Sequence, residues 1–118
     1  MTLSIYVDGS GGPDSGFGFF VKDTGESFYK KEPNITNNQA EYLAIITALK
    51  KFADYKDAIY IYSDSKNTVS QLNHEYAINS PELRTLAMEA WNLMVKYSNL
   101  TIIWIPRKEN LAGKMLGS

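Results

Sequence analysis

Along the chain, segments in which apolar residues alternate, as in strands, are followed by segments in which they recur every three or four residues, as in helices. The order of these segments limits the fold more than any other feature. Alternating apolar positions and short apolar runs predict five strands, over 2–8, 16–23, 26–31, 58–63 and 100–106. Apolar residues three and four apart and helix-start signals predict helices over 38–53, 65–73 and 80–97. The resulting order, β-β-β-α-β-α-α-β, predicts an α/β fold.

The connections between the strands predict the arrangement of the sheet. Asp23-Thr24-Gly25 is a tight-turn signal, so the first three strands form an antiparallel meander. Strands that are joined through a helix run parallel, with a right-handed crossover. We therefore predict a single domain, 1–118, with a five-stranded mixed sheet flanked by helices. In it, 2–8 lies between the meander and 58–63, and 100–105 is parallel to both.

The composition excludes several classes of protein. The chain has no cysteine, which excludes disulfides and thiolate metal sites and fits a reducing compartment. It shows neither a signal-peptide pattern nor the roughly 18 apolar residues of a membrane span, so we expect a cytoplasmic protein without a membrane partner. The formal net charge is −1, so affinity for nucleic acid has to come from local basic groups and bound cations.

Three carboxylates stand where the predicted elements begin or end. Asp8 ends the first strand, Glu41 lies in the first turn of the first helix, and Asp64 ends the fourth strand. The predicted topology brings two strand ends and one helix start to the same edge of the sheet. Three acids that meet there repel one another unless cations lie between them. The pattern therefore indicates a site for a hard metal ion.

Each acid also has a structural alternative, which is the commoner role when the acids are considered singly. Asp8 with Gly9 is typical of a turn after a strand. Glu41 comes three residues after Asn38, as in a capping box, and Asp64 is a suitable helix N-cap. These local roles do not require the acids to converge, whereas the topology does bring them together. We therefore favour the metal site.

Five sequence motifs carry a resemblance to a known family: YVDGS, GFGFF, TNNQAEYLAIITAL, IYSDSKNTVSQLN and WIPRKEN. With these motifs in this order, the chain resembles the type 1 ribonuclease H family over nearly its whole length. The pairing of TNNxAE with SDS is the specific part of the resemblance. The segment EYAINSPELRTL is similar to the compact archaeal and bacterial branch, which lacks the basic protrusion of longer members.

The resemblance implies a ribonuclease H-like fold and a metal-dependent endonuclease that hydrolyses the RNA strand of an RNA–DNA hybrid. Asp8, Glu41 and Asp64 match three of the family's four metal-binding acids. The family uses two Mg²⁺ or Mn²⁺ ions about 4 Å apart, one to activate a water and one to stabilise the leaving oxygen. Double-stranded RNA, which is also A-like in shape, is expected as a weaker partner.

The resemblance also implies which residues contact the nucleic acid. Thr36, Asn37, Asn38 and Gln39 match a stretch that lies against the minor groove of the hybrid. Amides suit this place because they donate and accept, as a 2′-hydroxyl does. The remaining substrate-binding candidates follow the first acid, the third acid or the last strand: Gly9, Ser10, Ser65, Lys66 and Arg107. Helix capping is the alternative role for the amides, and a surface charge is the alternative for Arg107.

The expected fourth acid is missing. Family members usually carry Asn-x-x-Ala-Asp near the C-terminus. Here Asn110 and Ala112 match, the spacing is one residue shorter, and Gly113 replaces Asp. Two alternatives stay open: Glu109 reaches in as a substitute ligand, or Asn110 offers a weaker neutral oxygen. Either way we expect one of the two ions to bind weakly. The alternative function is a catalytically weak or inactive module that binds hybrid, duplex RNA or a protein partner.

Three ring-bearing residues are not expected to take part in the chemistry. Trp91 and Trp104 lie in apolar helix and strand patterns, so we expect both in the core rather than as base-stacking platforms. His74 is the only histidine and follows the second helix, where we expect an exposed loop residue. No histidine is thus placed to activate Ser10 or Ser15 as a nucleophile.

Overall fold

The computed structural model describes residues 1–115. Its strands are β1 (Leu3–Ser10), β2 (Gly16–Val21), β3 (Ser27–Lys31), β4 (Ile59–Ser63) and β5 (Leu100–Trp104). Its helices are α1 (Asn37–Lys51), α2 (Lys66–Leu72), α3 (Pro81–Met94) and α4 (Leu111–Met115), with a 3₁₀ turn over Arg107–Glu109. None of these helices is long and apolar enough to cross a membrane.

The strands form one mixed sheet in the order β3-β2-β1-β4-β5. The pairs β1–β2 and β2–β3 are antiparallel, whereas β1–β4 and β4–β5 are parallel. The predicted arrangement, with the first strand between the meander and the fourth strand, is confirmed. Because β1 and β4 are parallel neighbours, their carboxyl ends lie at the same edge of the sheet.

Several elements, among them β2, α1, β5 and α3, end two or three residues earlier than the sequence predicts. β5 ends at Trp104, because Pro106 soon follows and has no N–H with which to extend the ladder. α3 ends at Met94, because the N–H of Tyr97 donates to the carbonyl of Met94, three residues back, in a tight turn. None of these differences moves a residue that was predicted to carry chemistry.

The core lies between one face of the sheet and α1. Alternate residues of β1 point to this face, and Ile5 and Val7 are fully buried. Tyr42 and Ile45 of α1 are also fully buried, and α3 packs against α1. The amphipathic pattern of α1 therefore lays this helix across β1 and β2.

The end of β1 and the start of α1 approach so closely that only glycine fits between them. A Cβ at Gly9 would lie 2.5–2.7 Å from atoms of Ala40, well inside van der Waals contact. Gly9 therefore allows the helix to pack directly against the strand. Since Asp8 precedes Gly9 and Glu41 follows Ala40, the same contact places two of the predicted acids side by side.

Candidate active site

Three carboxylates from three elements meet at the edge where β1 and β4 end. Asp8 lies on β1, Glu41 on α1, and Asp64 directly after β4. Each contributes one carboxylate oxygen to a group in which all oxygens lie within 4.8 Å of one another. Asp8 is 5% exposed and Glu41 is 6% exposed, while Asp64 is partly buried. The structure thus brings the acids together as the topology predicts.

Other residues fill the helix-capping role that was open to Glu41. The N-cap of α1 is Thr36, whose side chain accepts from the N–H of Gln39. Gln39 completes a capping box by accepting from the N–H of Thr36 at 2.9 Å. The alternative in which Glu41 pairs with Asn38 in a capping box is therefore wrong.

The local roles suggested for the two aspartates are also wrong. The N-cap of α2 is Ser65, whose hydroxyl accepts from the N–H of Thr68, so Asp64 does not cap the helix. Asp8 lies inside β1 and pairs with Gly18 of β2, so it does not belong to a turn. The three buried or partly buried acids therefore converge without a capping or turn role.

Glu41 is held by hydrogen bonds from two neighbouring elements. The N–H of Gly9 donates to Oε1 at 3.2 Å, and the hydroxyl of Ser63 donates to Oε2 at 3.3 Å. Burial, followed by the charges of Asp8 and Asp64, raises the pKa of Glu41 to about 9. Without a cation, Glu41 therefore keeps its proton at neutral pH.

Asp64 has a different balance of influences. Burial raises its pKa, and the charge of Asp8 acts in the same direction. The side chain of Asn110 lowers the pKa by donating to Oδ2 at 3.1 Å, and the positive charge of Arg107 also lowers it. Two groups from the C-terminal segment therefore favour the ionised form of Asp64.

The donor set fits a hard divalent cation. All three ligand atoms are carboxylate oxygens, and they lie close enough together to share one ion. The raised pKa of Glu41 reflects the cost of placing several negative charges in a buried space. A divalent cation removes this cost and allows the carboxylates to ionise together. Mg²⁺ and Mn²⁺ both prefer such oxygen ligands.

The acids open into a polar cleft of about 230 Å³. Its lining consists of Asp8, Gly9, Ser10, Asn37, Asn38, Glu41, Asp64, Ser65 and Arg107. Each of these residues is one that the sequence predicted to bind metal or substrate. A larger groove of about 370 Å³ lies between α2 and α3 and includes His74 and Trp91, but no acid lines it. The small polar cleft is therefore the candidate site.

The amides beside the cleft differ in the groups that they leave available. Asn37 accepts the N–H of Gly11 with Oδ1, and Gln39 uses Oε1 in the capping box. Both retain their amide nitrogens as donors. Asn38 is exposed, and within residues 1–115 its side chain makes no hydrogen bond. Asn38 is therefore the amide best suited to a group that both donates and accepts.

Three of the predicted substrate-binding residues lie outside the cleft. Thr36 and Gln39 line a neighbouring groove, which they share with Asn38. Lys66 begins α2, and its Nζ lies 5.9 Å from the centre of the Trp104 ring. The candidate contacts therefore extend beyond the cleft on two sides.

The two candidates for the fourth ligand, Glu109 and Asn110, differ in burial and in their position relative to the acids. Glu109 is exposed at the end of the 3₁₀ turn and does not belong to the carboxylate cluster within residues 1–115. Asn110 is fully buried, and Nδ2 donates to Asp64 and, at 2.8 Å, to the carbonyl of Val7. Its Oδ1 accepts the N–H of Ala112 at 3.0 Å. These partners direct the amide nitrogen toward the acids, so Asn110 presents a donor to them.

One residue of the site was missed in the sequence. Ser63 is fully buried and donates to Glu41, while its oxygen accepts the N–H of Ser65 at 3.1 Å. It therefore links two of the elements that carry the acids. The signal was present in the word Ser63-Asp64-Ser65, of which only the second serine was assigned a role.

The expectation for one of the two tryptophans is wrong. Trp104 is 44% exposed and does not belong to the core, because it ends the edge strand β5 and has no further strand beside it. Trp91 is partly buried and packs against the core as expected. His74 is exposed, and its ring stacks on Trp91 with 4.9 Å between centres.

Comparison with known proteins supports the same kind of fold. A protein-family profile described as reverse transcriptase-like matches residues 18–117. Ribonuclease HI of Halobacterium salinarum is 35% identical over 97 residues, which cover 81% of this chain and 47% of that protein. This chain therefore spans about half the length of that relative.

Solved structures show how closely the fold is shared. The crystal structure of RNase H1 from Halobacterium salinarum NRC-1 has a TM-score of 0.84 and 30% identity, over 93% of this chain and 89% of that chain. The crystal structure of LC11-RNase H1 in complex with an RNA/DNA hybrid has a TM-score of 0.85, over 97% of this chain and 92% of that chain. Its identity of 24% supports the fold alone. The family profile, the similarity to the archaeal ribonuclease HI and the shared sheet together show that the chain belongs to the ribonuclease H-like family of reverse transcriptase-like domains.

Proposed function

We propose that the protein is a metal-dependent endoribonuclease that hydrolyses the RNA strand of an RNA–DNA hybrid. The observation that carries the proposal is the convergence of Asp8, Glu41 and Asp64, none of which serves the cap or turn that would otherwise account for it. The Halobacterium relative, which is named a ribonuclease HI, supports the same reaction, and a neighbour that shares the fold binds an RNA/DNA hybrid.

Asp8, Glu41 and Asp64 would hold the divalent cations, Mg²⁺ or Mn²⁺. When bound, two such ions supply an activated water and stabilise the leaving oxygen. The chain contributes positioning: Gly9 and Ser63 orient the carboxylate of Glu41, and Asn110 orients that of Asp64. These contacts keep the carboxylates in place before a cation arrives, which limits the reorganisation that binding requires.

The residues around the acids suit a ribose-phosphate backbone. Ser65 and Arg107 line the cleft, and Arg107 carries a permanent positive charge that can pair with phosphate. Asn38 offers both a donor and an acceptor to a 2′-hydroxyl. The overall charge of −1 means that these local groups and the cations, rather than the whole surface, supply the attraction for a polyanion.

We expect a labelled hybrid to be cut at least about 100-fold faster than a DNA duplex of the same sequence, because a site built for a hydroxyl discriminates against its absence. Double-stranded RNA is expected to be cut slowly.

Asn38→Ala should reduce the preference for hybrid over DNA duplex by about tenfold, because it removes one hydrogen bond that only the 2′-hydroxyl of the hybrid can form. The measurement is the initial rate on each duplex in Mg²⁺ and in Mn²⁺.

Asn92→Ala is the matched control for Asn38→Ala, because Asn92 is an exposed amide on α3, away from the cleft. It should leave both the rate and the preference unchanged. Equal cleavage of hybrid and DNA duplex by the parent protein would contradict the proposed substrate. An unchanged preference in Asn38→Ala would contradict only the role of that amide.

At the fourth position we expect no carboxylate to take part. Glu109→Gln should then change the rate by less than about twofold, because an exposed charge that contacts neither ion nor substrate contributes little. Half-maximal activity should require a high concentration of metal, and Mn²⁺ should work better than Mg²⁺, because Mg²⁺ demands near-ideal geometry. The measurement is the rate on hybrid against metal concentration.

A second variant tests the same position by gain of function. Gly113→Asp is expected to shift the metal requirement to lower concentration, because affinity for a hard cation rises with the number and charge of its ligands. Full activity of the parent at low Mg²⁺, together with a large loss in Glu109→Gln, would instead identify Glu109 as the fourth ligand.

A second candidate function is a module that binds hybrid or duplex RNA with little cleavage. The observation in its favour is that only three carboxylates cluster among the residues that the structure describes. The same titration separates the candidates: tight binding of hybrid without cleavage at any Mn²⁺ concentration would favour the binding module.

A further inference from the structure

Trp104 holds an exposed indole ring beside the proposed active site. The ring is 44% exposed at the end of β5. Its Nε1–H donates to the backbone carbonyl of Asp64 at 3.2 Å, and Trp104 pairs with Ser63 in the parallel ladder of β4 and β5. The ring is thus fixed to the strand end that carries Asp64, although it is not part of the core.

Lys66 adds a positive charge to the same place. It is the first residue of α2, and its exposed Nζ lies 5.9 Å from the centre of the Trp104 ring. This distance is near the outer limit of a cation–π contact, so the ammonium group is held near the ring but is available to an anion. We call this pair the Trp104–Lys66 platform.

The order of the strands gives the position of the platform relative to the acids. Asp8 lies on β1, Asp64 follows β4 and Trp104 lies on β5, so the platform is one strand beyond Asp64. Neighbouring strands lie about 4.8 Å apart. Asn37 lies on the other side, where it binds Gly11 of the loop between β1 and β2. A strand of nucleic acid that crosses the acids therefore has the amides on one side and the platform on the other.

We propose that the Trp104–Lys66 platform binds the ribose-phosphate backbone of the cleaved strand, one or two nucleotides from the bond that is cut. The spacing supports this position, since successive nucleotides of one strand advance by about 3.4 Å. The inference rests on the proposed function, because it uses the acids to define where the strand is cut.

The state of the substrate decides which part of it meets the ring. In a duplex the bases are paired and stacked inside, so the backbone is the part that reaches a ring at the rim of the cleft. The indole would pack against a ribose, and the ammonium group of Lys66 would pair with the adjoining phosphate. Base stacking on Trp104 would instead predict a preference for single strands.

Direct binding tests the platform without relying on cleavage. The Asp8→Asn protein serves as the background, and the measurement is the fluorescence anisotropy of a labelled hybrid over a range of salt concentrations. Trp104→Ala should weaken binding roughly fivefold, whereas Trp104→Phe, which keeps a ring, should retain most of the affinity. Lys66→Gln should make the slope of log affinity against log salt less steep, by the amount expected for the loss of about one phosphate contact.

Trp91→Phe is the matched control, because the Trp91 indole also donates to a backbone carbonyl, that of Leu72 at 3.1 Å, but lies away from the cleft. It should bind hybrid like the background protein. Hybrids with one neutral methylphosphonate linkage near the cleavage site locate the contact: at the contacted phosphate, Lys66→Gln should cause no further loss.

The outcomes separate failure of the platform from failure of the proposed function. No binding of hybrid by the background protein would overturn both. Binding that is unaffected by Trp104→Ala would overturn the platform alone. An equal loss in Trp104→Phe and Trp104→Ala would also overturn it, because it would show that only the hydrogen bond to Asp64 matters. Tighter binding of single-stranded RNA than of hybrid would replace backbone contact with base stacking.

Discussion

Asp8→Asn and Asp64→Asn are each expected to reduce hybrid cleavage by at least about 1000-fold while the protein remains folded. Each change removes one negative charge from the cation site and preserves the shape of the side chain. An ion that stabilises charge in the transition state contributes several kcal/mol, which corresponds to a loss of this size. In Asp64→Asn the remaining oxygen can still accept from Asn110, so the local packing should persist. The measurement is the single-turnover rate at saturating Mg²⁺ or Mn²⁺.

Asp54→Asn is the control for the two aspartates, because it removes an exposed carboxylate from the loop between α1 and β4. It should cleave hybrid at the parent rate. Circular dichroism and thermal unfolding of all the variants show whether a loss of activity reflects the site or the fold. Normal turnover by folded Asp64→Asn would rule out the proposed chemistry.

Glu41→Gln should act in opposite directions on activity and on stability. It should nearly abolish cleavage, because it removes a cation ligand. In a chelating buffer at pH 8, however, it should increase the free energy of unfolding by about 1–3 kcal/mol, since it removes a buried group that is costly to ionise. Gln keeps a carbonyl that can accept from the N–H of Gly9, so this hydrogen bond is preserved.

The free energy of unfolding is expected to depend on pH with a definite sign. The pKa of Glu41 is raised to about 9 in the fold, so the folded chain holds a proton that the unfolded chain loses above about pH 4.5. Stability therefore falls as the pH rises from about 4.5 to about 9, and Glu41→Gln should remove this slope. Below pH 4 the stabilities of the parent and the variant should converge. The measurement is denaturant unfolding across this pH range.

Glu75→Gln is the control for Glu41→Gln, because Glu75 is an exposed glutamate outside the site. It should leave the pH dependence of the parent unchanged. Adding Mg²⁺ should stabilise the parent more than Glu41→Gln, because the ion binds the folded parent more tightly. A Glu41→Gln protein that is less stable than the parent at pH 8 without metal would contradict the cost of ionising the buried Glu41 carboxyl.

The sheet could be predicted because its signals are local. The apolar alternation of β1 and the turn at Asp23-Thr24-Gly25 lie within single segments, and the rule for crossovers then orders the strands. The convergence of the acids followed from that order. The lining of the cleft followed from the resemblance, because the matching sequence motifs contain all the residues that line the cleft.

The features that could not be predicted depend on contacts between distant segments. Asn110 donates to the carbonyl of Val7, which is 103 residues away, and that contact decides which end of its amide faces the acids. Trp104 continues an apolar pattern, and its exposure follows from the position of β5 at the edge of the sheet. The capping roles of Thr36 and Ser65 required the actual start of each helix, which propensity locates only to within a few residues.

The attachment of the glycine-rich loop to the start of α1 has a consequence for how substrate is received. Gly11 donates to Asn37, and Gly12 forms a bridge with Ile35, so the loop is tied to the segment that leads into the helix. A Cβ at Gly11 would lie 2.4 Å from the backbone nitrogen of Asn37, which shows how little room remains between them. The loop is therefore held against the start of α1 before substrate arrives. Association then loses little conformational entropy in the loop, and more of the contact energy is available as affinity.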